Sequence, residues 1–345
     1  MIAGGVPRDG AGPAPAFGTG VRLAGSGSAA PSRVVTNAEL ARHVDTDDEW
    51  IRQRTGIERR HFCTPGVESE FTLARDAMAR ALDDAGMRGS DLDLLIHASV
   101  TMEMVCPSNA CRIAADLGAT PAGAFDLAAA CSGFVYGINL ADSMIRCGRA
   151  RTVGVVGCDA LSGIIDYDDR SVSILFGDGA GAAVLTADED PRRGCLYQTM
   201  GADGTGWEAL YLPRRPEDVP SGHEEHPARL GTLRMNGREV YKFAVNKFRE
   251  VIEDGLASTG LTVDDVAQFV CHQSNQRIIE SAMEKLGLPA EKVHVNIHEY
   301  GNTSAGSVGL VYDEVARAGR VKPGDIVVFV AFGAGLTWAS SVWRI

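Results

Sequence analysis

Apolar residues recur at helical spacing through residues 71–86, at Phe71, Leu73, Ala74, Ala77, Met78, Ala81 and Leu82, and Gly86 closes the run. That pattern predicts a helix with one buried face. The run LDLLIHASV at 92–100 predicts a buried strand, and Pro107 and Ser108 open a second helix that ends near Gly118. A strand over 124–130, a helix over 132–147 and buried strands at 151–157 and 180–186 complete the first half. The order then returns: helix 239–256, strand 267–271, helix 275–287, strand 293–297, helix 304–318, and strands 326–332 and 337–344. Strands alternating with helices in this way predict an α/β fold.

The two halves match in detail. Cys131-Ser132-Gly133 stands 17 residues before Gly148-Arg149, and Asn302-Thr303-Ser304 stands 17 residues before Gly319-Arg320. Leu82, Gly86 and Asp91 recur at an offset of 174 as Leu256, Gly260 and Asp265. The apolar run Leu94-Leu95-Ile96 answers a run ending Phe269-Val270, which leads into His272. The chain reads as one α/β unit written twice, with Cys, His and Asn just beyond strand ends, where open α/β sheets place their chemistry. The charged stretch 188–193 marks the boundary, giving halves of 21–190 and 191–345 behind a Gly/Ala/Pro-rich tail over 1–20. The segment 213–229, with four prolines and the run His223-Glu224-Glu225-His226, reads as a surface loop or lid.

Composition narrows the class. A chain of 345 residues exceeds one ordinary core, which suits two halves. A net charge of −12 argues against a nucleic-acid partner but permits a local basic patch. No apolar run approaches the roughly 20 residues of a membrane span, and the tail lacks the apolar core of a secretion signal. Eight cysteines without Cys-x-x-Cys spacing fit a reduced, cytoplasmic protein with no zinc site or disulfide framework.

Small residues surround Cys131 in Ala128-Ala129-Ala130-Cys131-Ser132-Gly133, which allows close approach of a substrate. A thiol at a helix start feels its positive end and is expected to lose its proton more easily. His272 in Cys271-His272-Gln273-Ser274-Asn275 can act as base or hydrogen-bond donor, or fill the interior as a satisfied polar group. Asn302 in Tyr300-Gly301-Asn302-Thr303-Ser304 can serve chemistry or a simple turn. The conjunction of thiol, imidazole and carboxamide at matched strand exits points to catalysis. The turn Phe332-Gly333-Ala334-Gly335 adds backbone N–H groups suited to an oxyanion. Two patterns are set aside: Gly177-Asp178-Gly179-Ala180-Gly181 flows into the strand AGAAVL rather than a dinucleotide-binding helix, and His294 and His298 flank alternating Val295 and Ile297 as in a strand, not as a metal pair on a helix.

Taken together these motifs resemble β-ketoacyl-acyl-carrier-protein synthase III, of the thiolase-like superfamily. They run in family order from about residue 20 onward and include Asp45-Thr46-Asp47-Asp48-Glu49-Trp50, Arg54-Thr55-Gly56-Ile57, Asp126–Phe134, Phe176–Gly181, His272–Ile278, Tyr300–Ser304 and Phe332–Gly335. The resemblance implies a duplicated thiolase-like fold, layered α-β-α-β-α with two mixed five-stranded sheets. It implies that Cys131 takes an acyl group from acyl-CoA, that His272 and Asn302 stabilise the enolate of malonyl-acyl carrier protein, and that the N–H groups of Cys131 and Ala334 hold the tetrahedral oxyanion. No permanently bound cofactor or metal is implied; CoA enters as substrate. Thr46, Trp50, Arg54, Arg170, Gly237 and Asn275 fall at CoA-binding positions, and Trp50 and Arg170 suit the adenine because a purine stacks on both. Lys242, Arg277 and Lys285 fall at the patch for the acidic carrier protein, although Glu284 stands where relatives often carry lysine. Cys106 falls where relatives bound the acyl pocket across a homodimer, and the apolar strand Thr152–Gly157 is a candidate dimer edge. A cysteine there, with Thr101-Met102-Glu103-Met104 and the 213–229 loop, suggests a specialised starter-unit enzyme as an alternative to fatty-acid initiation. Other reactions on the fold stay open: acyl transfer to oxygen or nitrogen, a condensation using Glu103 as base, or a non-catalytic partner.

Overall fold

The computed structural model describes residues 19–224 and 229–345. The tail over 1–20 lies outside the described residues except for Thr19 and Gly20, and Gly20 already opens the first strand.

Five strands form the first sheet: β1 (Gly20–Ala29), β2 (Leu94–Ala98), β3 (Gly123–Leu127), β4 (Thr152–Ala160) and β5 (Asp178–Asp188). Their spatial order is β1-β5-β4-β2-β3, with β2 parallel to β3 and β4 and the rest antiparallel. Four strands form the second sheet: β6 (Gly194–Ala202), β7 (Val266–Cys271), β8 (Ile326–Gly333) and β9 (Thr337–Arg344), in the order β7-β8-β9-β6. Read from the other side this is β6-β9-β8-β7, the order and orientations of the first sheet repeated.

The fifth strand expected at 293–297 shrinks to one bridge, Phe269 with Val293. Side chains replace the ladder there: Gln268 reaches the Glu291 carbonyl, and Gln273 both donates to the His294 carbonyl and accepts from Asn296 N–H. The chain then turns into the short helix Ile297–Tyr300, so His294 and His298 do not alternate along a strand. His294 is held by Glu314 and Arg320.

The segment Thr152–Gly157, a candidate dimer edge in the sequence, sits inside the sheet, paired to β2 on one side and β5 on the other. Its apolar character reflects burial on both faces. The free edge beyond β2 is β3.

Helices α1 (Asp48–Thr55), α2 (Glu70–Asp84), α3 (Asn109–Asp116), α4 (Gly133–Arg146), α5 (Gly237–Thr259), α6 (Gln276–Leu286) and α7 (Gly306–Arg317) surround and separate the sheets. Ser69 and Thr72 cap α2 reciprocally, and its apolar stripe packs on Leu95, Val156 and Ala182 of the first sheet. Helices α5 and α6 cover the second sheet in the same way. Between the sheets lie α4 and α7, whose Phe134, Ile138, Val308 and Val311 pack with Val155, Leu185, Val327 and Phe329. The layering is therefore α-β-α-β-α. The glycine run 177–181 serves this packing: a Cβ on Gly181 would come within 2.3 Å of the α7 backbone at Gly309. Helix α7 crosses the sheet at backbone contact because neither residue has a side chain.

Candidate active site

Cys131, His272 and Asn302 line one cavity of about 780 Å³, mouth included. Each arrives by a different route. Cys131 lies in the tight turn Ala130–Ser132 between β3 and α4. His272 follows β7 and extends its pairing by donating its N–H to the Val330 carbonyl at 2.8 Å. Asn302 is pinned by backbone bonds to Leu175 (2.9 Å) and Gly177 (3.0 Å), which tie it to the first half. Three non-glycine residues among those described have left-handed backbones: Ala130 (φ 47°), Ser304 (φ 49°) and Leu336 (φ 45°). One precedes the cysteine, one follows the asparagine, and the third lines the cavity, so backbone strain gathers at this site.

The polar groups are oriented from behind. Ser307 Oγ lies 2.6 Å from His272 Nδ1, and Gln273 N–H donates to the same oxygen. We assign the Ser307 hydroxyl as donor to Nδ1, which puts the ring proton on Nε2. Burial holds the imidazole down at about 3, so it is neutral at any working pH. Asn302 Oδ1 accepts the Ser304 N–H at 2.9 Å, which leaves the amide NH₂ as donor. Imidazole and carboxamide are thus both neutral N–H donors.

The thiol departs from the sequence expectation. Burial pushes Cys131 up to about 12; the Ser304 side chain pulls it down and Asp159 adds to the rise. A helix N-terminus returns only about 1 kcal/mol, less than the cost of burying a thiolate here, so burial wins and the resting thiol keeps its proton. Beside it, a Cβ on Gly333 would lie 2.7 Å from Cys131 N, so only glycine lets the Gly333-Ala334 turn close on the nucleophile. The Cys131 N–H thus lies against Gly333, the residue before Ala334.

The CoA-position residues divide between the cavity and the segment around Trp50. Gly237 and Asn275 line the cavity itself. Asn275 caps α6 and donates to the Arg54 carbonyl. Arg54 and Arg170 both lie on the Trp50 ring, at 5.7 and 4.8 Å from its centroid. A planar ring between Trp50 and Arg170 needs about 7 Å, so the slot must open by roughly 2 Å. The Thr46 hydroxyl oxygen is buried without a partner among the described residues. So is that of Ser274, a cavity residue that sequence reasoning passed over. Lys242 on α5 and Arg277 and Lys285 on α6 are exposed outside the mouth.

Other candidates lie elsewhere. Cys106 is exposed on the 99–108 arm and does not line the cavity. Glu103 is held by Arg112 at 2.8 Å and by Phe71 N–H, outside the lining. Tyr211, Gly222 and His223 border a groove beside Gly237, while residues 225–228 of the lid segment lie outside the described residues.

Comparison with known proteins agrees with this geometry. Residues 125–204 match the family 3-oxoacyl-[acyl-carrier-protein (ACP)] synthase III, and 256–345 match its C-terminal description. The β-ketoacyl-[acyl-carrier-protein] synthase III of Caldanaerobacter subterraneus is 46% identical over 320 residues, 93% of this chain and 96% of that protein. The chain belongs to the β-ketoacyl-[acyl-carrier-protein] synthase III family. The crystal structure of 3-oxoacyl-[acyl-carrier-protein] synthase III from Aquifex aeolicus superposes with a TM-score of 0.87 at 40% identity, covering 94% of this chain and all of that one. The priming β-ketosynthase of the R1128 polyketide pathway gives the same TM-score at 36% identity, covering 94% of this chain and 96% of that one. The fold is thiolase-like, and the chain is a condensing acyltransferase of this family. Among the described residues, no helix is long and apolar enough to cross a membrane, and no cluster of His, Cys, Asp and Glu could hold a metal ion.

Proposed function

We propose that the enzyme condenses a starter acyl-CoA with malonyl-acyl carrier protein through an acyl-Cys131 intermediate. One observation carries this reading: a thiol and two neutral N–H donors meet in a cavity whose lining, among the described residues, contains no Asp, Glu, Lys or Arg. With no carboxylate base to remove a proton, the carbanion must come from loss of CO₂. In the first half-reaction the Cys131 sulfur replaces the CoA sulfur on the acyl carbon, and the thiol proton ends on CoA. In the second, His272 Nε2–H and the Asn302 amide hold the thioester oxygen of the malonyl group as the C–CO₂ bond breaks. The resulting carbon attacks the acyl-Cys131 carbonyl. The tetrahedral oxyanion, held by Cys131 and Ala334 N–H, collapses to expel the sulfur, which takes up a proton. The product, a β-ketoacyl-acyl carrier protein, opens a fatty-acid or polyketide chain.

Thr46, Trp50, Arg54, Arg170, Gly237 and Asn275 form the CoA path in this reading. Lys242, Arg277 and Lys285 receive the acidic carrier protein, with Glu284 and Glu280 on the same helix weakening that field. The edge strand β3, with Phe125 40% exposed, pairs with its copy in a homodimer, and Cys106 then faces the partner's pocket. Phe125→Glu is expected to shift the protein towards monomer in sedimentation at micromolar concentration.

The direct test is intact-protein mass spectrometry with a panel of acyl-CoAs, mapping of the modified peptide, and a chase with malonyl-acyl carrier protein. An acyl group on Cys131, released as a β-ketoacyl product, is the expected result. Acyl-Cys131 that the chase cannot discharge would mean transfer to oxygen or nitrogen instead. His272→Ala is expected to keep acylation but slow condensation by about 10²–10³-fold, the usual effect of losing one oxyanion donor. Single-turnover kinetics of each half-reaction separate the two.

A further inference from the structure

Asn302 is held by a segment that is itself held from behind. The Leu175 carbonyl accepts its N–H at 2.9 Å, and Gly177 N–H donates to its carbonyl at 3.0 Å. Ile174, the residue before them, offers its carbonyl to Arg60 Nη2 at 2.8 Å. Arg60 stands in the short strand Arg59–Phe62 and is fully buried. Its Nη1 donates to Asn37 Oδ1 at 2.7 Å. Asn37 in turn donates to the Ile57 carbonyl at 2.7 Å and to Asp48, the first residue of α1, at 2.8 Å. The Arg60 stem is as closely fitted as its head: a Cβ on Gly177 would come within 3.0 Å of Arg60 Cβ, and one on Gly301 within 3.3 Å. Gly177 follows Phe176 and Gly301 precedes Asn302, and Phe176 and Asn302 are joined by a parallel bridge. One side chain therefore packs against both segments whose meeting places Asn302.

A buried guanidinium is costly, and this one is not there to meet an acid. Among the described residues it donates to a carboxamide and a carbonyl and to no carboxylate. Burial pulls it down to about 10, and Tyr167 and Asp48 offset part of that, so it stays charged at any working pH. A charged donor grips a carbonyl more firmly than a neutral one, and the planar fork holds two acceptors at a fixed angle. We propose that Arg60 is a positioning residue for Asn302: it fixes the 174–177 segment and so aims the Asn302 amide at the thioester oxygen of the malonyl group. Cys131 and His272 are held by other elements, the turn before α4 and the end of β7, so the role belongs to the second half-reaction. The same network reaches both walls of the Trp50–Arg170 slot. Asp48 opens the helix that carries Trp50, and Arg170 opens the short helix Arg170–Ser173 that runs into Ile174.

The inference rests on the proposed condensation, with Asn302 as an enolate donor, and the experiment separates the two. The enzyme is acylated at saturating acyl-CoA and the acylation rate is read by mass spectrometry. The acyl-enzyme is then mixed with malonyl-acyl carrier protein for a single turnover. Arg60→Gln is expected to acylate within about twofold of the parent and to condense about tenfold or more slowly, because a misplaced donor costs rate only in the step that uses it. Asn302→Ala is expected to condense about 10²–10³-fold more slowly. The decisive variant combines the two. It is expected to condense no more slowly than Asn302→Ala alone, because a residue that acts through the amide then has nothing left to place. Arg60→Lys keeps the charge but not the fork, and is expected to fall between the parent and Arg60→Gln. A merely structural loss would slow acylation as well and would multiply with Asn302→Ala. Either result, or condensation by Arg60→Gln at the parent's rate, overturns the inference and leaves the proposed reaction standing. If Arg60→Gln does not fold, Arg60→Lys takes its place in the cycle. Condensation by Asn302→Ala at the parent's rate would instead sink the enolate role of Asn302, and this inference with it.

Discussion

Cys131→Ala is expected to show no acyl mass gain from any acyl-CoA and to lose condensation by roughly 10⁴-fold or more, as enzymes do when a covalent nucleophile is removed. A second result is more discriminating. The donors proposed for the enolate, His272 and Asn302, are held by Ser307 and by the Leu175–Gly177 backbone, not by the cysteine. Decarboxylation of malonyl-acyl carrier protein should therefore continue in Cys131→Ala, releasing CO₂ and the acetyl form. Measuring CO₂ release alongside acylation separates the two halves of the site. Loss of both together would show that the thiol also shapes the donor pair.

His97→Gln is expected to destabilise the fold by about 3–5 kcal/mol at neutral pH, read by denaturant unfolding. His97 is fully buried on β2 between two carboxylates: Nε2 meets Glu70 at 2.5 Å and Nδ1 meets Asp126 at 2.9 Å. Asn109 completes the cluster through its side chain to Glu70 and its N–H to Asp126. Burial opposes the imidazolium, but the hydrogen bonds it donates to Asp126 and Glu70 outweigh burial and hold His97 up at about 9. Because the folded value exceeds the ordinary 6.5, the stabilisation is complete below pH 6.5 and is lost as pH rises through about 9. Its size is about 3 kcal/mol. The glutamine variant should lack that alkaline slope. The cluster also matters for the site: Asp126 is five residues before Cys131 and caps α3 through Asn109 and Ala110 N–H.

Much of the protein was legible in its sequence because the informative signals are local or repeated. Periodicity located the helices and most strands to within a few residues, since a buried face leaves its period wherever the element packs. The 171-residue correspondence of Cys131 and Asn302 exposed the duplication, and the matching order of four strands in the two sheets is its structural counterpart. Strand exits put Cys131, His272 and Asn302 in view, and the tertiary structure brings all three to one cavity. What the sequence left open depends on atoms far away in the chain. Thr152–Gly157 is apolar whether a strand is central or at an edge, and only its partners, β2 and β5, decide. The 293–297 run carries strand-like alternation, yet the side chains of Gln268 and Gln273 take its hydrogen bonds. The helix start at Cys131 promises an easily ionised thiol, but desolvation is a property of everything packed around the sulfur and outweighs the local dipole. His97 in an apolar strand gives no sign of its charge until Glu70 and Asp126 close on it. The sequence by itself determined the repeat, the layer-forming elements and the reactive trio. The tertiary structure alone decided which strand is an edge, which groups are charged, and which residues stand behind Asn302, because pairing and desolvation are set by neighbours that folding brings from elsewhere in the chain.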